Sequence, residues 1–236
     1  MHLFYSPVIR EGTFTLDSGE SLHCTRVLRL RQGDIIHITD GAGRIQSAEI
    51  VIPDKNKCVV RITDEQQMPP ERGFHLQIAI APTKSIDRFE WFLEKATEIG
   101  IDIITPVICS NSERRIVKPE RCRKVMVAAM KQSLSAWLPS IEDTVSFMEF
   151  LKKPFGGTRI IATGSAPPHN HPGRYCAPGN PVQILIGPEG DFTDDEMQSA
   201  IQTGFIPASL SQKRLRTETA GVVACHAVSF INQPGQ

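Results

Sequence analysis

The sequence predicts an α/β protein in two parts: a small β-rich unit over residues 1–68 and, after a linker at 69–73, a mostly parallel α/β domain over 74–236. Three observations predict it. Short stretches that alternate polar and apolar residues fill the beginning of the chain. From residue 74 onward, apolar runs of strand length alternate with segments of helical period. Between the two lies QQMPPERG (66–73), which is polar, bears Pro and Gly and has no period.

Taken in order, DIIHITDGAGRIQSAEIVIPD (34–54) alternates, turns at Asp40-Gly41 and alternates again, which makes a hairpin. NKCVVRITDE (56–65) supplies another strand, and SGESLHCTRVLRL (18–30) accommodates a short helix. FHLQIAIAP (74–82) is a strand. KSIDRFEWFLEKATEIG (84–100) is a helix, because Ile86, Phe89, Phe92, Leu93, Ala96 and Ile99 recur at helical spacing and Gly100 stops it. Trp91 lies off that stripe, so Phe89 and Phe92 read as core and Trp91 as the one aromatic open to a base-stacking role. IDIITPVIC (101–109) is a strand, 118–137 a helix with Pro119 at its start, and 143–153 a short helix. TRIIATG (158–164) and PVQILIG (181–187) are strands flanking the Pro/Gly-rich loop 166–181. Thr193 and Glu196 have capping-box spacing for a helix that ends near Gly204. FIPASLS (205–211) is a strand end, and TETAGVVACHAVSFI (217–231) a final apolar helix in which Cys225 and His226 read as packing. Alternation of this kind gives a mostly parallel sheet covered on both faces.

Composition excludes several classes. About 40% of residues are apolar and 22% charged, with a formal net charge of zero, as in an ordinary soluble domain. No run approaches the roughly 18 apolar residues of a membrane span. MHLFYSPVIREG has no basic start followed by an apolar stretch, so no signal peptide and a cytoplasmic location are expected. The six cysteines form no C-x-x-C pair and are expected to be reduced thiols. His169, His171 and Cys176 lack an evident fourth ligand, so they read as a surface loop and no metal is expected. Charge is nevertheless uneven: ERRIVKPERCRK (113–124) and KRLR (213–216) are basic, whereas EGDFTDDE (189–196) holds five acids. A neutral total can conceal a basic face suited to a polyanion.

Three strand ends carry the candidate chemistry: ATGSA (162–166), IGPEG (186–190) and SLSQKRLRTETAG (209–221). In parallel sheets ligands sit beyond the carboxyl ends of strands. Neither G-x-x-x-x-G-K-[ST] nor G-x-G-x-x-G is present, and the acids of 189–196 would repel phosphate. A phosphate-free ligand with an adenine edge and a cationic centre suits such a corner better. Gly would let the chain approach it closely, and Pro would fix the bend.

LIGPEGDFTDDE followed by LSQKRLRTETA resembles the SPOUT methyltransferases and, within them, the 16S rRNA (uracil-N3)-methyltransferases of the RsmE type. HCTRVLRLRQGD (23–34) is similar to the motif of that family's N-terminal PUA-like barrel. Residues 84–118 and KQSLSAWLP (131–139) are similar to its first helix, second strand, basic loop and following segment. The resemblance implies a PUA-like RNA-binding β-barrel, then a SPOUT domain with a trefoil knot formed by the last strands and helices. It implies a homodimer in which the final helix, AGVVACHAVSF (220–230), suits the subunit contact. It also implies S-adenosylmethionine held by Thr163 and Gly164, by Ile186, Gly187, Pro188, Glu189 and Gly190, and by Leu210, Ser211, Leu215, Thr217, Thr219 and Ala220. Glu189 is either a direct ligand or a brace through backbone hydrogen bonds.

The implied reaction methylates N3 of a uridine in 16S rRNA of the small ribosomal subunit. N3 carries a proton, and a fixed cation beside O2 or O4 favours the reactive anion. Arg216 is the expected catalytic cation; its guanidinium keeps its own proton, so proton removal falls to Glu218 or to water. RNA contact is expected at Arg26 and Arg29, at Lys84 and Arg88, at Arg114, Arg115 and Lys118, and at Arg123, Lys124 and Lys131. The alternatives are a ribosome-associated RNA-binding protein without catalysis, and a SPOUT enzyme acting at another RNA position.

Overall fold

The computed structural model divides into two units, one of Met1–Glu71 with Met130–Leu138, the other of Arg72–Ala129 with Pro139 onward. It describes residues 1–8 and 10–233; residue 9 and residues 234–236, which fall in the expected first and second domains, lie outside the described residues. The expected break at 69–73 gives 130–138 to the second domain, whereas in the structure this segment groups with the first.

The first unit contains β1 (Leu3–Tyr5), β2 (Thr13–Thr15), α1 (Ser18–Leu22), β3 (Ile35–Thr39), β4 (Arg44–Ile52) and β5 (Val59–Gln67). They form a curled five-stranded sheet in the order β1-β3-β4-β5-β2. Its pairs are antiparallel except for β1 with β3. The β3–β4 turn is built as expected: Asp40 Oδ1 accepts from the Ala42 and Arg44 amides at 2.7 and 3.1 Å, while Gly41 and Gly43 take φ of 74° and 92°. Asp17 caps α1, and the chain then widens into a π-helical turn over His23–Val27. Alternate residues of the strands point inward to Phe4, Leu16, Cys24, Ile36, Ile38, Ile50 and Val60. Each large side chain fully buried in this way contributes about 1.5–3 kcal/mol.

The second unit contains β6 (Leu76–Ile80), α2 (Ile86–Ile99), β7 (Ile103–Ile108), β8 (Ser140–Ile141), β9 (Val145–Ser146), α4 (Phe147–Leu151), β10 (Thr158–Ala162), β11 (Val182–Ile186), α5 (Asp194–Gln202), β12 (Ile206–Ala208) and α6 (Thr217–Ile231). Between β7 and β8 runs α3 (Pro119–Gln132), whose last residues belong to the first unit. The sheet has seven strands in the order β12-β10-β11-β6-β7-β8, with β9 also on β7, and every pair is parallel. β6 and β11 are buried at every residue, as a central strand covered on both faces must be.

On one face lie α2 and α6. A Cβ on Gly221 would stand 2.6 Å from the Phe92 ring and 3.0 Å from Ile80, so this glycine sets how closely α6 approaches. Phe89 and Phe92 are fully buried there, and Trp91 is 42% exposed, as the helical stripe requires. On the other face, Ala79, Ala81, Val107, Ile161 and Leu185 meet Phe147, Phe150, Phe192, Ala200 and Phe205. Both short helices here begin with capping boxes, Thr193 with Glu196 on α5 and Ser146 with Glu149 on α4.

At the amino end of this second face, buried polar side chains form a chain across the sheet. Arg159 Nε donates to Gln183 Oε1 (3.0 Å), Gln183 Nε2 to Gln77 Oε1 (2.8 Å), and Gln77 Nε2 to Thr105 Oγ1 (2.9 Å). The Thr105 hydroxyl donates to Glu142 (2.8 Å), which Lys153 neutralises at 2.7 Å. From Arg159 to Glu142 each side chain donates to the next, from a cation toward a carboxylate.

Candidate active site

The parallel register ends β10 and β11 together, with Ala162 opposite Ile186. Thr163 N–H then bonds Ala208 O and Ala81 N–H bonds Ile186 O, both at 3.0 Å, so three loops leave the sheet at one level. Between them opens a cavity of about 570 Å³, walled by residues 162–164, 186–189 and 191, 209–217 and 220. A second recess, of about 610 Å³, opens beside Ser110, Arg115 and Ser146. Its Glu196 carboxylate is already engaged by Ser110 and by the α5 cap.

The corner 187–191 is a tight turn in which Asp191 N–H bonds Pro188 O at 2.9 Å. Its left-handed residue is Asp191, φ 61°, and neither glycine. The glycines serve close approach instead: a Cβ on Gly187 would meet the Phe192 ring at 3.0 Å, and one on Gly190 would meet Asn111 Cβ at 3.1 Å. Thr217 Oγ1 donates to Gly187 O at 3.1 Å and joins the start of α6 to the corner.

Of the residues expected to hold the cofactor, all but Gly190 and Thr219 line the cavity. Glu189 does so while its Oε1 accepts from the Lys84 amide at 3.0 Å, which is the bracing alternative. Arg216 is the N-cap residue of α6, is exposed, lines the cavity and has no side-chain partner among the described residues. Glu218 is not a wall of the cavity. Its Oε1 lies 3.9 Å from Arg88 Nε of α2, and its Oε2 is buried without a hydrogen-bond partner. Asp191, Ser209, Gln212, Lys213 and Arg214 are walls that sequence reasoning passed over, although all lie inside or beside the quoted motifs.

The basic set divides. The Lys131 ammonium sits 2.6 and 2.7 Å from the two Glu20 oxygens and its side chain is only 17% exposed. Arg114 is likewise committed, to the carbonyls of Thr83 and Lys84. The Lys84 ammonium pairs with Glu113 at 2.8 Å, and this bond raises its pKa above the usual lysine value. Arg26, Arg29, Arg115, Lys118, Arg123 and Lys124 are exposed. Among the described residues, no group of three or more His, Cys, Asp or Glu could hold a metal, and no helix is long and apolar enough to cross a membrane.

A parallel sheet whose carboxyl edge carries a loop-walled cavity of this size is the arrangement of an α/β protein with room for a small ligand beyond its strand ends. Residues 70–229 match the RNA methyltransferase domain, and residues 16–63 match the RNA methyltransferase PUA domain. The chain is 32% identical to ribosomal RNA small subunit methyltransferase E of Synechocystis, over 94% of this chain and 75% of that one. A solved structure from Porphyromonas gingivalis superposes with a TM-score of 0.90 at 38% identity, over 98% of each chain. A ribosomal RNA small subunit methyltransferase E from Neisseria gonorrhoeae, solved bound to S-adenosyl methionine, superposes with a TM-score of 0.87 at 28% identity, over 98% of each chain. The chain therefore belongs to the RNA methyltransferase family, among the ribosomal RNA small subunit methyltransferases E.

Proposed function

We propose that this chain transfers a methyl group from S-adenosylmethionine to N3 of a uridine in 16S rRNA, in the cytoplasm and as a homodimer. The observation that carries the reading is the cavity, whose walls include Gly187, Pro188, Glu189 and Asp191 of the corner and the cationic stretch 213–216. The residues present suit the cofactor. The volume of about 570 Å³ lies within the roughly 300–1,000 Å³ of ligand pockets. A Cβ on Gly164 would meet no atom within 4 Å, so that wall keeps room for a ligand. Bound S-adenosylmethionine supplies a methyl group on a cationic sulfur.

The expected cofactor residues that line the cavity, in 163–164, 186–189, 210–211, 215, 217 and 220, are assigned to holding the cofactor through main-chain groups. Thr217 and Glu189 hold the corner itself. Arg216, unengaged by any described residue, is assigned to the oxygen beside N3, where its charge favours loss of the N3 proton and stabilises the anion that attacks. Because guanidinium keeps its own proton, that proton leaves to water or to a cavity carboxylate. Glu218 faces Arg88 instead and is not given that role. Thr163 N–H bonds Ala208 O, and the Glu189 and Gly187 carbonyls accept from Arg214 and Thr217; we include in the proposal a trefoil knot of the last strands and helices and the α6 subunit contact.

The test supplies labelled S-adenosylmethionine and small subunits lacking the modification, digests the RNA and identifies the labelled nucleoside. N3-methyluridine is expected; label on ribose or on carbon five rejects the assignment. In the same assay Arg216→Ala should lower transfer by roughly 10²–10³-fold while calorimetry finds cofactor affinity retained. Equal loss of cofactor binding would refute the role given to Arg216.

A further inference from the structure

Lys84, in the loop between β6 and α2, has every polar group engaged. Its amide donates to Glu189 Oε1 at 3.0 Å, its carbonyl accepts from Arg114 Nη2 at 2.7 Å, and its ammonium lies 2.8 Å from Glu113 Oε2. Arg114 Nε also reaches Thr83 O at 3.0 Å. The guanidinium from the loop after β7 thus grips two successive carbonyls of the neighbouring loop. That loop's amide in turn grips the carboxylate of the corner. Three residues before Arg114, Asn111 Nδ2 donates to Gly190 O (3.2 Å) and Asp191 O (3.0 Å). Arg214 Nη2 holds Glu189 O at 3.2 Å from the α6 side.

We infer that Arg114 is a positioning residue for the cofactor corner, acting through the Lys84 amide and the Glu189 carboxylate, and is not an RNA contact. The inference rests on S-adenosylmethionine binding in this cavity. The physical case is one of geometry and charge. A corner that presents main-chain groups to a ligand works only if it is held in place beforehand. Hydrogen bonds from a cation, or to a carboxylate, are about twice as strong as neutral ones, and this relay has one of each kind. A planar guanidinium spans two carbonyls at once, which an ammonium at the same position does not reproduce.

The test measures S-adenosylmethionine binding by calorimetry and RNA binding against salt concentration, for the wild type, Arg114→Ala, Arg114→Lys, Glu189→Ala and the Arg114→Ala/Glu189→Ala double variant. Cofactor affinity should fall roughly tenfold or more in Arg114→Ala, with the salt slope of RNA binding unchanged. Arg114→Lys, which keeps the charge and serves if the alanine variant fails to fold, should also lose cofactor affinity. The double variant should bind cofactor about as weakly as the weaker single, because both break one relay. Cofactor affinity within about twofold of wild type together with a reduced salt slope would make Arg114 an RNA contact and overturn the inference. So would full additivity in the double variant. A wild type that binds no S-adenosylmethionine would instead remove the cofactor reading on which the inference stands.

Discussion

Cys122 and Cys176 carry thiols whose chemistry is set by burial. Desolvation is the main cause that raises each from 9.0 to about 11, helped at Cys122 by the nearby Glu90 charge. The folded chain therefore holds these protons more tightly than the unfolded chain. The stabilisation is whole below pH 9.0 and is lost as pH rises toward about 11. Urea midpoints should fall across that window, and fall less in a Cys122→Ala/Cys176→Ala variant; equal slopes would contradict the account. Single residues also mark where sequence stops being readable. As walls of the cavity, Gly187, Pro188 and Arg216 were legible because two of its three stretches lie in the contiguous motifs LIGPEGDFTDDE and LSQKRLRTETA. Glu218 was not, because direction on a helix turns by about 100° per residue. Thr217 reaches Gly187 O, whereas its neighbour is carried round to face Arg88 of α2. Asp191 takes the left-handed conformation, which a short polar side chain that bonds locally tolerates; its Oδ1 accepts from the Phe192 amide at 2.8 Å.

Gly221 decides how α6 seats. Alanine gains about 1 kcal/mol of helix propensity, but its Cβ would stand 2.6 Å from a fully buried Phe92 ring, and overpacking costs about 1–3 kcal/mol. The clash wins, so Gly221→Ala should destabilise by up to about 2 kcal/mol in urea unfolding; a stabilised variant would refute the packing described. The long elements of this unit were legible from period and capping, with α5 starting at the Thr193–Glu196 box as read. Several of the shortest strands of the chain were not. β1 and β2 span three residues each and β8 and β9 two, too few to show a period. The Ser146–Glu149 box of α4 carried the same spacing signal as α5 and was passed over beside a longer apolar run.

RNA binding by the chain as a whole should depend on charges that the fold leaves in water. Replacing Arg115 and Lys118 together should reduce the magnitude of the salt slope by roughly 1.5 if each meets one phosphate. Lys131→Ala should leave the slope alone and lower stability, because it strands Glu20. The opposite pattern would show that exposure does not select the RNA-facing cations. The grouping of 130–138 with the first unit was illegible for a related reason: Leu138 N–H meets Gly41 O at 2.8 Å across almost a hundred residues, and no local pattern records such a bond.

The polar chain from Arg159 to Glu142 has its own implication for how the sheet assembles. A one-residue slip of β6 or β11 would swing Gln77 or Gln183 to the opposite side, under α2 and α6, and strand its amide in oil. An inverted amide would set donor against donor. Nearly interchangeable aliphatic strands thereby acquire a one-way key, and only one alignment lets them lie side by side.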